Sequence, residues 1–373
     1  MTTVREMLAK YVTQSQMSSF FIDKMKVYNV ESYGAAGDGV TNDTNAIQSA
    51  IDATGDNGGG IVYFPGTAYL IGEIKVNDNY VWLVSHGRGC LLKPAGDNQY
   101  VIRFSASDGG VSGFTIDGDG KSDITALAVV PEDESQTTTV VEQNFNRFEH
   151  IQIINCTEGI VMQTGPDVDG SDSGCFYNVF DTIHIQKTTR GIWLKDGPNA
   201  SSAPCNRNQF YSVRIGRTGT NTGIQIDAGA TNSFYGCSFE GINDGTTPNS
   251  TPTAIKIAQS GPNSGDNNNN VFMGCMFEAN TVDVENDNSY TAFYGCTIGK
   301  NKLTGSVLPR FLIGYDPSQS PLIIPGLKYG EGSLPGYTNG IWNLEKPLSV
   351  TEVRQPDRVL NEFNGGYLNG WED

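Results

Sequence analysis

A phenylalanine followed three and five residues later by apolar residues recurs at Phe148, Phe180, Phe210, Phe234, Phe272 and Phe293. Asn146, Asn178, Asn208, Asn232 and Asn270 stand two residues before the first five, and Thr291 takes the sixth place. The phenylalanines lie 21 to 38 residues apart, so a constant phrase is joined by segments of unequal length. A repeat of that period means stacked units with loops of different size between them.

Each unit also carries a short alternating run: Gly159-Ile160-Val161-Met162, Gly191-Ile192-Trp193-Leu194, Gly223-Ile224-Gln225-Ile226, Ala254-Ile255-Lys256-Ile257 and Thr281-Val282-Asp283-Val284. Period two predicts strands, and no unit holds an amphipathic segment of helix length that would build a crossover between parallel strands. The expected fold is therefore all-β, a single-stranded solenoid of parallel coils about 4.8 Å apart. Equivalent positions then form columns. Three after the phenylalanine runs Ile151, Ile183, Val213, Cys237, Cys275 and Cys296; five after runs Ile153, Ile185, Ile215, Phe239, Phe277 and Ile298. Both columns suit an interior. The asparagine column is expected to bond along the stack, because a side-chain amide both donates and accepts.

A hydrophobic fraction of 38% fits strands with one wet face. A net charge of −17 argues against nucleic acid or an anionic membrane surface as partner, though not against an acidic glycan. No run reaches membrane-spanning length, so no membrane insertion is expected. The N-terminus lacks the basic start and apolar core of an export signal. Seven cysteines, an odd number without metal-ligand spacing, read as buried thiols that suit assembly in a reducing cytoplasm.

Four regions follow from the pattern. Residues 1–26 place Val4, Met7, Leu8, Tyr11 and Val12 at helical spacing, a lead-in or attachment segment. Residues 27–72 form an N-terminal cap, in which Asp43 is expected to N-cap a helix from Thr44 to about Ala53 and Gly58-Gly59-Gly60 turns into the strand Ile61-Val62-Tyr63-Phe64. Residues 73–300 hold the coils. Residues 301–373 carry seven prolines together with Tyr337, Trp342, Phe363, Tyr367 and Trp371, an irregular C-terminal cap or trimerisation segment.

The stretch from Tyr33 to Ile71, and the phrase Gly113-Phe114-Thr115-Ile116-Asp117-Gly118, closely resemble the pectate-lyase-like superfamily of right-handed parallel β-helices, in the branch that includes bacteriophage tailspikes and appendages. The resemblance covers residues 27 to 300 as architecture. It implies a right-handed coil with a short N-terminal helix, but no single reaction, since the superfamily includes lyases, hydrolases, epimerases and non-catalytic binders.

With the interior filled, chemistry must sit on outward strand positions or loops. Four after each phenylalanine stand Gln152, His184, Arg214, Ser238, Met276 and Thr297; six after stand Ile154, Gln186, Gly216, Glu240, Glu278 and Gly299. Glu240 and Glu278 thus share an outward column on adjacent coils. Two carboxyls so close do not both ionise cheaply, so one would be protonated as general acid and the other would act as base or nucleophile. Insertions from Gly241 to Pro252 and from Gln259 to Asn270 would wall a cleft beside them. Outward Trp193, Asp227 and Asp283, with Lys195, Gln225 and Glu285, offer an aromatic platform and polar groups for a sugar. Arg214 and His184 make a rival pair, a cation to neutralise a uronate carboxylate and a base to remove the neighbouring proton.

Other acidic sets read as structural. Glu149 and Asp181 share a column at an expected bend, Asp117 and Asp119 form turns, Asp38 and Asp43 belong to the cap, and Asp167, Asp169 and Asp172 fall short of a calcium-loop pattern. No metal cluster, phosphate loop or serine-nucleophile motif appears, and no cofactor is expected. The resemblance, joined to these residues, gives the expected function: a tailspike-like homotrimer, assembled in the host cytoplasm and carried on the virion, joined through its N-terminus to a tail or baseplate protein. It would bind a bacterial surface polysaccharide and hydrolyse its glycosidic bonds with Glu240 and Glu278. Elimination on a uronic-acid polymer and a binding fibre without turnover are the alternatives.

Overall fold

The computed structural model describes residues 26–132, 142–164, 174–197, 205–216, 220–242, 251–257, 269–287, 291–299 and 303–305, with the backbone of 311–314 and 322–324. The expected lead-in helix, the triple-aspartate loop, most of both insertions and most of the C-terminal segment lie outside these residues. Within them the chain is a right-handed parallel β-helix of three long sheets, with twelve, nine and nine strands. All pairings within the three long sheets are parallel except the last of the first sheet, where Phe311–Gly314 meets Leu322–Ile324 antiparallel.

The repeated phrase is the first sheet and the turn into the second. Phe148, Phe180, Phe210, Phe234, Phe272 and Phe293 are register partners on successive coils and fully buried. Their rings stack with centroids 4.4–4.9 Å apart, because the coil spacing leaves one ring thickness plus a small offset.

The asparagines bond along the stack as expected, and each holds two coils. The Oδ1 atoms of Asn178, Asn208 and Asn232 each accept the backbone N–H of the preceding asparagine at 2.9 Å, and Asn270 does the same for Asn232 at 3.0 Å. Their Nδ2 groups donate to carbonyls such as Gln143 O and Cys175 O. The turn therefore buries its polar backbone without loss of hydrogen bonds. Thr291 is too short to continue the ladder, and its buried Oγ1 finds no partner among the described residues.

At the N-terminal end the α-helix Thr44–Asp56 buries Ile47, Ala50, Ile51 and Thr54. Asp43 precedes it but does not cap it. Its carboxylate instead accepts from Ala36 N at 2.7 Å and Gly37 N at 3.1 Å, while Asn42 Oδ1 accepts from Thr44 N at 3.1 Å. A buried carboxylate gains more from the two loop amides it faces than from a helix end that Asn42 already serves. All seven cysteines are free and buried. Burial pushes the thiols of Cys90 and Cys156 up to about 12, which keeps them protonated fillers.

The alternating runs make the third sheet, with one shift of register in the last unit. Ile160, Ile192, Ile224, Ile255 and Val284 form one inward column, so Val284 and not Val282 continues it. Asp283 consequently occupies the position held by Gly159, Gly191, Gly223 and Ala254 in earlier coils. It is 2% exposed, and its carboxylate accepts from Asn280 Nδ2 at 3.0 Å and Gly299 N at 2.7 Å. The expected outward, sugar-facing Asp283 is therefore corrected to an internal brace. The unit carries Asp where the others carry Gly or Ala, and this hid the two-residue offset.

Candidate functional site

Two outward columns of the second sheet collect the candidate residues. Gln152, His184, Arg214, Ser238 and Met276 are successive register partners in one; Ile154, Gln186, Gly216, Glu240 and Glu278 are partners in the other. Inward Ile185, Ile215, Phe239 and Phe277 between them are buried and fix this orientation. Glu240 and Glu278 thus face outward on adjacent coils, and so do His184 and Arg214. The residues named for hydrolysis and those named for elimination form a single patch.

Their environments differ. Glu240 is half-buried; its carboxylate accepts from Ser238 Oγ at 2.5 Å and pairs with Arg214 Nη2. Burial pushes its carboxyl up, but the Ser238 hydroxyl, the Arg214 guanidinium and His184 together outweigh that and hold it below the usual glutamate range. Its carboxyl is therefore the charged form at neutral pH. Glu278 is exposed one coil on. His184 lies beside Gln186, whose Nε2 is 3.1 Å from His184 Nδ1. Gly216 has a structural reason: a Cβ there would collide with the carbonyl of Glu240, so the coil beneath the glutamate needs glycine.

The third sheet arranges Trp193, Gln225, Lys256 and Glu285 in one outward column. Here the groups satisfy one another. Arg190 lies over the Trp193 ring at 3.5 Å and holds Glu158 through both carboxylate oxygens, at 2.7–3.2 Å. Trp193 Nε1 donates to Asp227 Oδ2 at 2.7 Å, Gln225 Nε2 reaches the same carboxylate at 2.8 Å, and Lys256 pairs with Glu285 at 3.0 Å. Trp193 also packs on outward but buried Ala128, Val130 and Val161. The expected open platform of Trp193 and Asp227 is a closed network, with the ring face covered by a guanidinium.

Glu149 and Asp181 lie on outward positions of the first sheet, both clamped by Arg147 at 2.6 and 2.9 Å, not at a bend. Asp117 accepts from Asp119 N at 3.0 Å and Asn155 Nδ2 at 2.8 Å, the turn role expected of it. Among the described residues no group of His, Cys, Asp and Glu could hold a metal ion, and no helix there is long and apolar enough to cross a membrane.

The three-sheet parallel coil agrees with a family match over residues 27–247. The chain belongs to the rhamnogalacturonase A/epimerase, pectate lyase-like family. Among curated proteins, this member of the family is 39% identical over 108 residues to alginate lyase 7 of Azotobacter vinelandii, which takes in 24% of this chain and 12% of the relative. It is 38% identical over 89 residues to the mannuronan C5-epimerase AlgE4 of the same organism, covering 23% of this chain and 16% of the relative. The matched segments are thus a small part of those proteins. Among solved structures, the phiAB6 tailspike in complex with oligosaccharides of Acinetobacter baumannii surface polysaccharide aligns at a TM-score of 0.47 and 16% identity, over 82% of this chain and 51% of that one. An alginate lyase from a Paenibacillus species aligns at 0.46 and 14%, over 76% and 97%.

One feature of the outer surface escaped the sequence reading. Phe145 and Tyr177, each directly before a ladder asparagine, are exposed and stacked on each other. The signal was available as a column one residue before the asparagines: Phe145, Tyr177, Arg207, Thr231 and Asn269.

Proposed function

We propose that this chain cleaves a polysaccharide at the outward patch of the second sheet, by hydrolysis of a glycosidic bond. The observation that carries the reading is the in-register pair Glu240 and Glu278, one carboxylate held charged by Ser238 and Arg214 and the other open to solvent. Adjacent coils about 4.8 Å apart bring the two carboxyls within the roughly 5–5.5 Å of a retaining arrangement when the side chains run parallel. Glu240, kept ionised, attacks or stabilises the anomeric carbon; Glu278 supplies the proton to the leaving oxygen and then activates water. Family membership and relatives named for action on alginate and mannuronan support a polysaccharide as substrate.

A second reading has its own observation. Arg214 and His184 are register neighbours in the same patch, a cation and a base of the kind that elimination on a uronate needs. Purified protein incubated with bacterial capsule, lipopolysaccharide or alginate separates the two. New reducing ends without absorbance from an unsaturated uronate support hydrolysis; reducing ends that appear together with that absorbance move the assignment to Arg214 and His184. Full activity in both Glu240→Gln and Glu278→Gln overturns the glutamate assignment. The wider setting of the proposal is a virion-borne homotrimer that meets the host through its surface glycan, and sedimentation of the full chain tests the trimer.

A further inference from the structure

At the corner where the third sheet turns into the first, every coil from Asp108 to Asn269 places one residue in the left-handed conformation: Asp108, Phe145, Tyr177, Arg207, Thr231 and Asn269 have φ between 53° and 59°. Asn and Asp adopt this geometry readily, and bulky side chains do not. Two successive coils nevertheless place large aromatics there. Phe145 is 58% exposed and Tyr177 41%, and their rings lie 5.1 Å apart and within 3° of parallel. Arg207 of the following coil sits over Tyr177 at 5.5 Å and donates to its hydroxyl. The rings are therefore held as a fixed, outward-facing stack and not buried for packing.

On the preceding coil, Phe145 becomes the wall of a cavity of about 440 Å³, lined also by Asp78, Asn79, Asp108, Glu142 and Asn144. That volume falls in the range of small-ligand sites, about 300–1,000 Å³. The lining holds one aromatic residue, three acidic residues and three asparagines, with no Lys or Arg among the described lining residues. Carboxylates accept from hydroxyls and repel anions, while an aromatic face takes the C–H side of a pyranose. The cavity lies at a different corner of the coil from Glu240 and Glu278, which end strands of the second sheet.

We infer that Phe145, backed by Tyr177 and Arg207, forms with this cavity a second glycan-binding site that takes a neutral or N-acetylated hexose unit and performs no chemistry. The carboxylates of Asp78, Asp108 and Glu142 repel anions, so the site excludes uronates. The inference does not depend on which reaction the second sheet carries out.

The test compares wild type with the double variant Phe145→Asn and Tyr177→Asn. Asparagine occupies the same left-handed position at Asn269, so the substitution suits the backbone and the fold is retained. Binding of tetramers of glucose, of N-acetylglucosamine and of mannuronate is measured by calorimetry and by saturation-transfer magnetic resonance, with oligomeric state followed by light scattering. The expected result is binding of at least one neutral tetramer, weakened about tenfold or more in the variant, with thermal midpoint and oligomeric state unchanged. Failure of both neutral tetramers to bind at millimolar concentration overturns the inference, as does equal binding by the variant. A change of oligomeric state in the variant also overturns it, and assigns the stack to contact between copies.

Discussion

The outward columns of the second and third sheets start from similar material, a mixture of Arg, Glu, Gln and His or Trp, and end in opposite conditions. On the third sheet, Arg190 is held by Glu158 and covers Trp193, whose indole is tied to Asp227. On the second, Glu240 is fixed and charged while Glu278 stays exposed beside it. A saturated network stabilises a scaffold, whereas an incomplete one leaves groups free to meet a substrate. The difference lies in the partner each column offers: the third sheet puts a guanidinium three residues from its tryptophan, and the second repeats a glutamate where a cation would close the set.

The largest effect expected is on turnover. Glu278→Gln should lower polysaccharide cleavage by about 10²–10⁴-fold, the usual contribution of a positioned proton donor. Its urea midpoint should stay nearly constant, since an exposed side chain contributes little to stability. Trp193→Ala should behave the other way, losing about 2–3 kcal/mol of stability in urea unfolding because a packed ring and its bond to Asp227 disappear. Its turnover per folded molecule should remain within about twofold. A Trp193 variant that stays stable and loses activity would break the contrast.

The contrast depended on what a column reveals and what it hides. The period-two runs and the Phe and Asn columns fixed the register from Phe148 to Phe293, and with it the pairing of Glu240 with Glu278 and of His184 with Arg214. A one-dimensional column records facing but not the reach of side chains. That is why Arg190 over Trp193 was invisible, and why Glu240 was not foreseen as charged: its state depends on Ser238 two residues before it and on Arg214 one coil away. Asp283 was misplaced because its unit lacks the small residue that marks the bend in the others. Asp43 has the right type and place for a helix cap, yet the loop amides of Ala36 and Gly37 are nearer.

A smaller effect tests the charge state of Glu240. Its folded-state pKa is lowered from 4.5, so the stability it contributes is full above about pH 5 and is lost as pH falls through the lower folded value. Subtracting the urea stability of Glu240→Gln from that of wild type between pH 3 and pH 7 should show that fall; a difference independent of pH would mean that Arg214 and Ser238 do not hold the charge. The smallest effect concerns the scaffold alone. Thr291→Asn should extend the asparagine ladder and raise stability by about 0.5–1 kcal/mol, read as a higher thermal midpoint with turnover unchanged.

The most direct measurement is a crystal structure of Glu240→Gln soaked with an oligosaccharide of the polysaccharide that the wild type cleaves. The expected result is a sugar chain lying along the outward columns of the second sheet, from Arg214 to Glu278, with a glycosidic oxygen within hydrogen-bond distance of Glu278. A sugar chain over Trp193 and Asp227 on the third sheet, with the Glu278 side chain untouched, would contradict it.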